Sequence, residues 1–193
     1  METALQQENR IIIKRVSQYA ELEGIRHLQE INLKRNLPRG EAEKQGFVTA
    51  EYSLEFLEIM HRASPSVIAL DGDRVVGYAL VATRDIKDHH AMLSKLFGLL
   101  DQTLYKGRPL ETRPYVVVGQ LCVAKDYRGR GLTGSLYDFY RKSLQDSFDC
   151  CVTDVASDNP GSLRAHLKTG FCVIDTLSYD HIDWSIVLWD WTT

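Results

Sequence analysis

This 193-residue sequence has no excess of one charge, no long apolar run and no regular cysteine spacing. Lys plus Arg number 23 against 26 Asp plus Glu, and a net charge of -3 gives no general attraction to nucleic acid or to an anionic membrane, so any basic patch must be local. No stretch approaches the length of a membrane span, and the polar opening METALQQENR contains no apolar segment resembling a signal peptide. The cysteines at 122, 150, 151 and 172 form no C-x-x-C pair, which argues against a thiolate metal site or a disulfide framework. Each lies in an apolar, strand-like segment, so buried reduced thiols in a soluble cytoplasmic protein are expected. The adjacent His89 and His90 lack a third ligand at suitable spacing; they read as a solvated loop, and no metal is expected. With those classes set aside, 44% hydrophobic and 25% charged residues fit one full-sized globular domain over residues 1–193.

Residues 10–15 (RIIIKR) read as a short β-branched strand, and 17–34 as a helix with Tyr19, Leu22, Ile25, Leu28 and Ile31 on its apolar side. The break at 37–40 (LPRG) is followed by Thr49, which suits the N-cap of a second helix carrying Tyr52, Leu54, Phe56, Leu57 and Met60. SVIAL and RVVGYALVA flank Asp71-Gly72-Asp73, a strong hairpin signal. Residues 84–114 are too long for a hairpin loop, and AMLSKLFGLLDQTL within them has helical periodicity, which predicts an inserted helix. The strand YVVVGQLCV then leads through a glycine-rich loop into a helix over about 132–144, with Leu132, Leu136, Phe139 and Tyr140 on one side. CCVTDVAS is a further strand, Asn159-Pro160 opens a short helix ending at Gly170, and FCVIDTLSYD and WSIVLWDW close the sequence as strands. Trp184, Trp189 and Trp191 in the last of these either complete the core or form a homodimer contact.

The loop, Arg-Gly-Arg-Gly-Leu-Thr-Gly at 128–134, carries the most chemistry. Glycines at 129, 131 and 134 remove Cβ atoms that would keep an anion from the backbone, and the helix that follows leaves its first N–H groups unpaired. Arg128 and Arg130 add positive charge beside them. The same glycines fit G-x-G-x-x-G, with Asp154 about where a ribose-binding acid would lie. Against a dinucleotide fold, AKDYR separates the strand from the glycines, and the chain after the loop is too short for a doubly wound domain. A P-loop fails because the loop holds no Gly-Lys followed by Ser or Thr.

The loop resembles the R-x-x-G-x-G/A signature of the GNAT superfamily of acyl-CoA-dependent N-acyltransferases, with Arg128 and Gly131 in matching places and Thr133 where Gly or Ala is usual. Residues 159–171, NPGSLRAHLKTGF, are similar to that family's N-x-x-A/S-x-x-x-Y-x-x-x-GF segment, with Asn159, Ser162, His166, Gly170 and Phe171 in register. The order of elements also agrees, apart from the insertion at about 84–114. The resemblance implies an α/β (α+β) fold: a mixed, mostly antiparallel sheet of six to seven strands with a splayed parallel central pair, and helices on both faces. It implies acetyl-CoA as co-substrate and no metal. Leu121, Cys122 and Val123 would meet the pantetheine arm, with the Val123 N–H polarising the thioester carbonyl. Gly129, Arg130, Gly131, Leu132, Thr133, Gly134 and Ser135 would hold the pyrophosphate, and Arg128 and Arg130 would assist with its charge. Asn159 and Ser162 belong to the same coenzyme-binding set, although Asn159 equally suits the cap of the helix that Pro160 opens.

Acyl transfer needs a deprotonated amine, a stabilised oxyanion and a proton for the departing thiolate. His166 stands where the resemblance places a tyrosine that protonates the thiolate, so it either serves as that acid or only hydrogen-bonds on its helix. Gln120 lies where some relatives carry glutamate, and an amide cannot take the amine's proton; Asp154, Glu30 or a water chain remain as bases. The implied activity is N-acetylation of a primary amine on a small molecule, amino acid or peptide by direct attack in a ternary complex. The alternative is a non-catalytic acyl-CoA-binding regulatory module. Thermal denaturation beside NAD and beside acetyl-CoA checks the choice of nucleotide: the midpoint should rise only with acetyl-CoA.

Overall fold

In chain order the elements are β1 (Ile12–Arg15), α1 (Tyr19–Asn32), α2 (Leu54–Ala63), β2 (Val67–Asp71), β3 (Arg74–Ala82), α3 (Ala91–Gln102), β4 (Leu104–Tyr105), β5 (Arg108–Pro109), β6 (Tyr115–Val123), α4 (Leu132–Leu144), β7 (Cys150–Ala156), α5 (Pro160–Thr169), β8 (Cys172–Tyr179) and β9 (Ile182–Asp190). They come from a computed structural model that describes residues 11–38, 40, 46–179 and 181–192. The opening METALQQENR, which includes the expected strand start at Arg10, lies outside the described residues, as do Arg39 and Asp180.

The β-branched runs build one seven-stranded sheet in the order β1-β2-β3-β6-β7-β9-β8, and β4 with β5 forms a separate hairpin in the 84–114 segment after the inserted helix. All pairings in the large sheet are antiparallel except β6 with β7. That parallel register runs Tyr115↔Cys150, Val116↔Cys151, Val117↔Val152 and stops, while β6 continues to Val123 and β7 to Ala156. The two strands therefore part. A bulge lies beside the parting: between Ala79↔Leu121 and Val81↔Val118, β6 advances one residue more than β3, which turns it away from its parallel neighbour.

Helices cover both faces. A Cβ at Gly77 would point at Leu136 and Leu132 of α4, whereas the next side chain, Tyr78, points to the other face, where its hydroxyl meets Gln120. On that second face α2 reaches the sheet through Met60, whose Cε lies 3.2 Å from the position of a Cβ on Gly119. α1 approaches β3 so closely that a Cβ on Gly24 would be 2.6 Å from Val75 Cγ2. The tryptophans of β9 and of the position just after it turn inward: Trp184 and Trp191 are buried, and Trp189 packs edge-on to Tyr137 and Trp191.

Several local expectations change. The second helix starts at Leu54, capped by Ser53 Oγ, which accepts the Phe56 N–H at 3.2 Å, not by Thr49. The Gln29 amide causes this: it bonds both the N–H and the C=O of Tyr52, at 2.6 and 3.1 Å, and so holds residues 49–53 out of the helix. Tyr52 then turns its hydroxyl onto the Gly119 carbonyl. On α1, Tyr19 and Ile31 are 52% and 45% exposed, and buried Gln29 and Asn32 take their place because the backbone satisfies their amides. On α4, Phe139 is only partly buried, and Tyr137, not assigned to the apolar side, is fully buried. Cys122, Cys150 and Cys151 are buried thiols, but Cys172 is exposed, because β8 is an edge strand with an open outer face. His89 is exposed, yet His90 is not a solvated loop residue: its ring packs 5.0 Å from Tyr52 and 4.8 Å from Phe56.

Gly170 closes α5 at φ 119°, and a Cβ there would lie 2.9 Å from Trp189 Nε1. Gly170→Ala should cost about 1–3 kcal/mol, read as a lower midpoint in urea. Gly98→Ala on α3, where a Cβ meets nothing within 4 Å, should instead raise the midpoint.

Candidate active site

The glycine loop leaves its backbone open at the start of α4. Gly129 and Gly131 have φ of 73° and 78°, a region that disfavours residues with a Cβ, and a Cβ added at 129, 131 or 134 would meet nothing within 4 Å. Gly131 is the N-cap of α4 and offers no side chain, so the N–H groups of Leu132, Thr133 and Gly134 have no acceptor inside the helix; the first intrahelical donor is Ser135, to the Gly131 carbonyl at 3.2 Å. They face a cavity of about 370 Å³ that is also lined by Ala165, Lys168 and Thr169 of α5. Lys168 supplies a cation there that the sequence reading missed, because its helix follows the loop by a whole βα unit.

Arg128 does more than add charge to the loop. Its Nε donates to the Val123 carbonyl at 2.9 Å and its Nη2 to Asn32 Oδ1, tying the end of β6 to the last turn of α1. Arg130 is exposed, its guanidinium 5.5 Å from the Tyr127 ring. Ser135 lies away from the cradle and lines a neighbouring hollow with Tyr127 and Arg130.

From the cradle a second cavity leads into the gap between β6 and β7, lined by Leu121, Cys122, Val123, Thr133 and Ser162 and roofed by residues 46–48. Residues 46–50 form a strap across the gap. The Val48 N–H donates to the Asn32 carbonyl and its carbonyl accepts from Lys34, while Asn159 Nδ2 donates to the Phe47 carbonyl at 3.0 Å. Asn159 also caps α5, its Oδ1 accepting the Ser162 N–H at 3.2 Å, so the structure gives it the capping role and a strap-holding role together. Beyond the strap, a third, inner cavity contains Gln120, Thr153, Asp154, Ser162 and His166, with Tyr52, Met92, Leu93, Leu96 and Trp184 in its walls. Shared lining residues join the three: Val123, Arg128, Thr133 and Ala165 between the first two, Phe47, Val48, Leu121 and Ser162 between the last two. Glu30 is exposed on α1 and lines none of them.

Hydrogen bonds set the chemistry of the inner cavity. His166 is 3% exposed, with Nδ1 2.8 Å from the Ser162 carbonyl and Nε2 2.7 Å from the Tyr137 hydroxyl. A carbonyl only accepts, so Nδ1 carries the proton and Nε2 accepts from Tyr137. Burial lowers the His166 pKa and raises that of Tyr137 well above the usual phenol value, which keeps this donor arrangement in place. Gln120 Oε1 accepts from Tyr78 at 2.6 Å and its Nε2 donates to the Ala50 carbonyl at 2.8 Å. Burial pushes the Cys122 thiol up to about 12, which makes it a wall group and not a nucleophile. Asp154, half-buried, faces Tyr52, whose pKa is raised first by burial and then by this carboxylate. Among the described residues no group of three or more His, Cys, Asp or Glu is arranged to hold a metal, and no helix is long and apolar enough to cross a membrane.

This architecture is shared with solved N-acetyltransferase structures. NAA60 from Arabidopsis thaliana, in complex with acetyl-CoA, superposes with a TM-score of 0.63 at 17% identity over 94% of this chain and 99% of that one. Ribosomal-protein-alanine N-acetyltransferase from Brucella melitensis gives 0.59 at 18% identity over 93% and 99%. A chain of the NatC complex bound to Gag peptide and CoA gives 0.65 at 14% identity over 94% and 98%. At these identities the likeness defines the fold class. Residues 22–171 match the acetyltransferase (GNAT) family, and the chain belongs to it. No curated protein matches the chain in sequence.

Because burial lowers the His166 pKa from 6.5, the unfolded chain takes up a proton below that pH that the folded chain refuses. Stability should therefore fall as pH drops below about 6.5 and be unaffected by this group above it, with a slope of up to about 1.4 kcal/mol per pH unit. Denaturant titrations between pH 7.5 and 5 should show the slope reduced by one proton's contribution in His166→Gln.

Proposed function

We propose that the chain transfers an acetyl group from acetyl-CoA to a primary amine by direct attack with both substrates bound. The observation that carries this reading is the run of three adjoining cavities from the helix N-terminus to Asp154. Glycines without Cβ atoms at 129, 131 and 134, three N–H groups with no acceptor in their helix and the cation of Lys168 suit a pyrophosphate, while Arg130 lies in the neighbouring hollow; the parted strand edge at Leu121, Cys122 and Val123 suits an amide-bearing arm. When bound, the coenzyme brings an acetyl group already activated as a thioester. The amine nitrogen replaces sulfur on the carbonyl carbon; starting from the ammonium, nitrogen gives up two protons, one to a base before attack and one as the amide forms, while the departing sulfur takes up one.

In this reading Asp154, in the lining of the inner cavity, holds the incoming ammonium and accepts its proton, directly or through water. Gln120, held by Tyr78 and Ala50, shapes the wall and takes no proton. On the thiol side, the only proton of neutral His166 is on Nδ1, beside Ser162, whose hydroxyl lies 3.5 Å away and lines both inner cavities. A donor role for His166 therefore runs through its Ser162 edge, with Tyr137 fixing the tautomer. The placement fits a protein that works by positioning.

A second reading is kept because both His166 nitrogens and both Gln120 amide atoms already have protein partners, as expected if the coenzyme were only a regulatory ligand. Thiol release from acetyl-CoA across an amine panel separates the two: tight coenzyme binding without turnover on any acceptor, unchanged in His166→Phe, favours the binding module. The cradle has its own check. Gly131→Val should abolish the rise in melting temperature caused by acetyl-CoA, and Lys168→Ala should reduce it; a full rise in both variants would mean that the pyrophosphate lies elsewhere.

A further inference from the structure

We infer that the acceptor is a monocationic amine on an uncharged, apolar body, selected by the inserted helix α3. This rests on the acetyltransferase reading above and narrows it. The inner cavity is walled by Phe47, Tyr52, Met92, Leu93, Leu96 and Trp184, three of them from α3. Among the described residues, its lining holds one carboxylate, Asp154, and no lysine or arginine.

Five polar side chains of that wall already bond other protein groups. Gln120 bridges Tyr78 and the Ala50 carbonyl, Thr153 Oγ1 donates to the Val118 carbonyl at 2.8 Å, and Asn159 joins Phe47 to Ser162. The Tyr52 hydroxyl donates to the Gly119 carbonyl, and both His166 nitrogens have partners. A second ammonium, as in a polyamine, would lose its hydration and find no second carboxylate among the described lining residues. The α-carboxylate of a free amino acid would find no cation among them. Each is a desolvated charge without compensation, whereas a single ammonium meets Asp154 and an alkyl or aryl body meets α3. The same chemistry is offered by a small arylalkylamine and by a peptide N-terminus with an apolar first side chain.

The test uses the full chain saturated with acetyl-CoA for thiol release, and with CoA for binding followed by tryptophan fluorescence, with Trp184→Phe as the control. The amines are 2-phenylethylamine, a peptide amide beginning with leucine, free leucine and spermidine. One of the first two should exceed both of the others by at least about tenfold in kcat/KM, and which of the two leads identifies the source. Asp154→Asn should weaken the preferred amine, and Met92→Glu, at a half-buried position, should bring spermidine to parity with it. Equal use of all four, or preference for spermidine or free leucine, overturns the inference, as does binding of none. Selective binding of an apolar amine with no turnover keeps the acceptor class and defeats the acetyltransferase reading instead.

Discussion

The parallel ladder between β6 and β7 ends after Val117↔Val152, and the rest of the site depends on that ending. Two strands leaving one another inside a protein expose backbone carbonyls that need partners. Here side chains supply them: Thr153 Oγ1 donates to Val118, Tyr52 to Gly119, and Arg128 Nε to Val123. The opening is thus lined by satisfied carbonyls at both ends, with the stretch around Leu121 and Cys122 between them. The bulge in β6 aims that stretch into the gap.

The other elements are arranged around this opening. α4 starts at one mouth with its N–H groups outward, while α5, capped by Asn159, flanks the gap and brings Ser162 and His166 to it. The strap 46–50 is held from three directions, by Asn32 and Lys34 at the end of α1, by Gln120 on β6 and by Asn159 before α5. An ion pair between Lys34 and Asp158 adds a tie at the surface. None of these holds is apolar, so the strap is fixed by direction as well as by burial.

What was legible in the sequence was local. Positive φ at Gly129 and Gly131 is written in residue type, the Asp71-Gly72 hairpin in its turn, and the α5 start in Asn159-Pro160. The spacing of RGRGLTG and NPGSLRAHLKTGF carried the family. What was not legible was pairing at long range. Thr49 and Ser53 are equally good caps by type, and an amide on α1 decides between them. The Tyr137 to His166 bond crosses from α4 to α5, and Arg128 to Asn32 spans 96 positions, so no pattern within one helix announces either. Lys168 follows the loop by a whole βα unit, and only the fold brings it beside the loop.

Phe47 and Val48 line the gap and the inner cavity alike. One short segment is therefore a common wall for two cavities, and a change in its shape acts on both at once. On the proposed reading, with the coenzyme arm in one and the amine in the other, the kinetic constants for the two substrates are coupled through that wall, so a substitution at Phe47 that improves one amine will be felt as altered saturation by the coenzyme. Acceptor range can be varied with less of this cross-talk from Met92 or Leu93, which touch the inner cavity alone of the three.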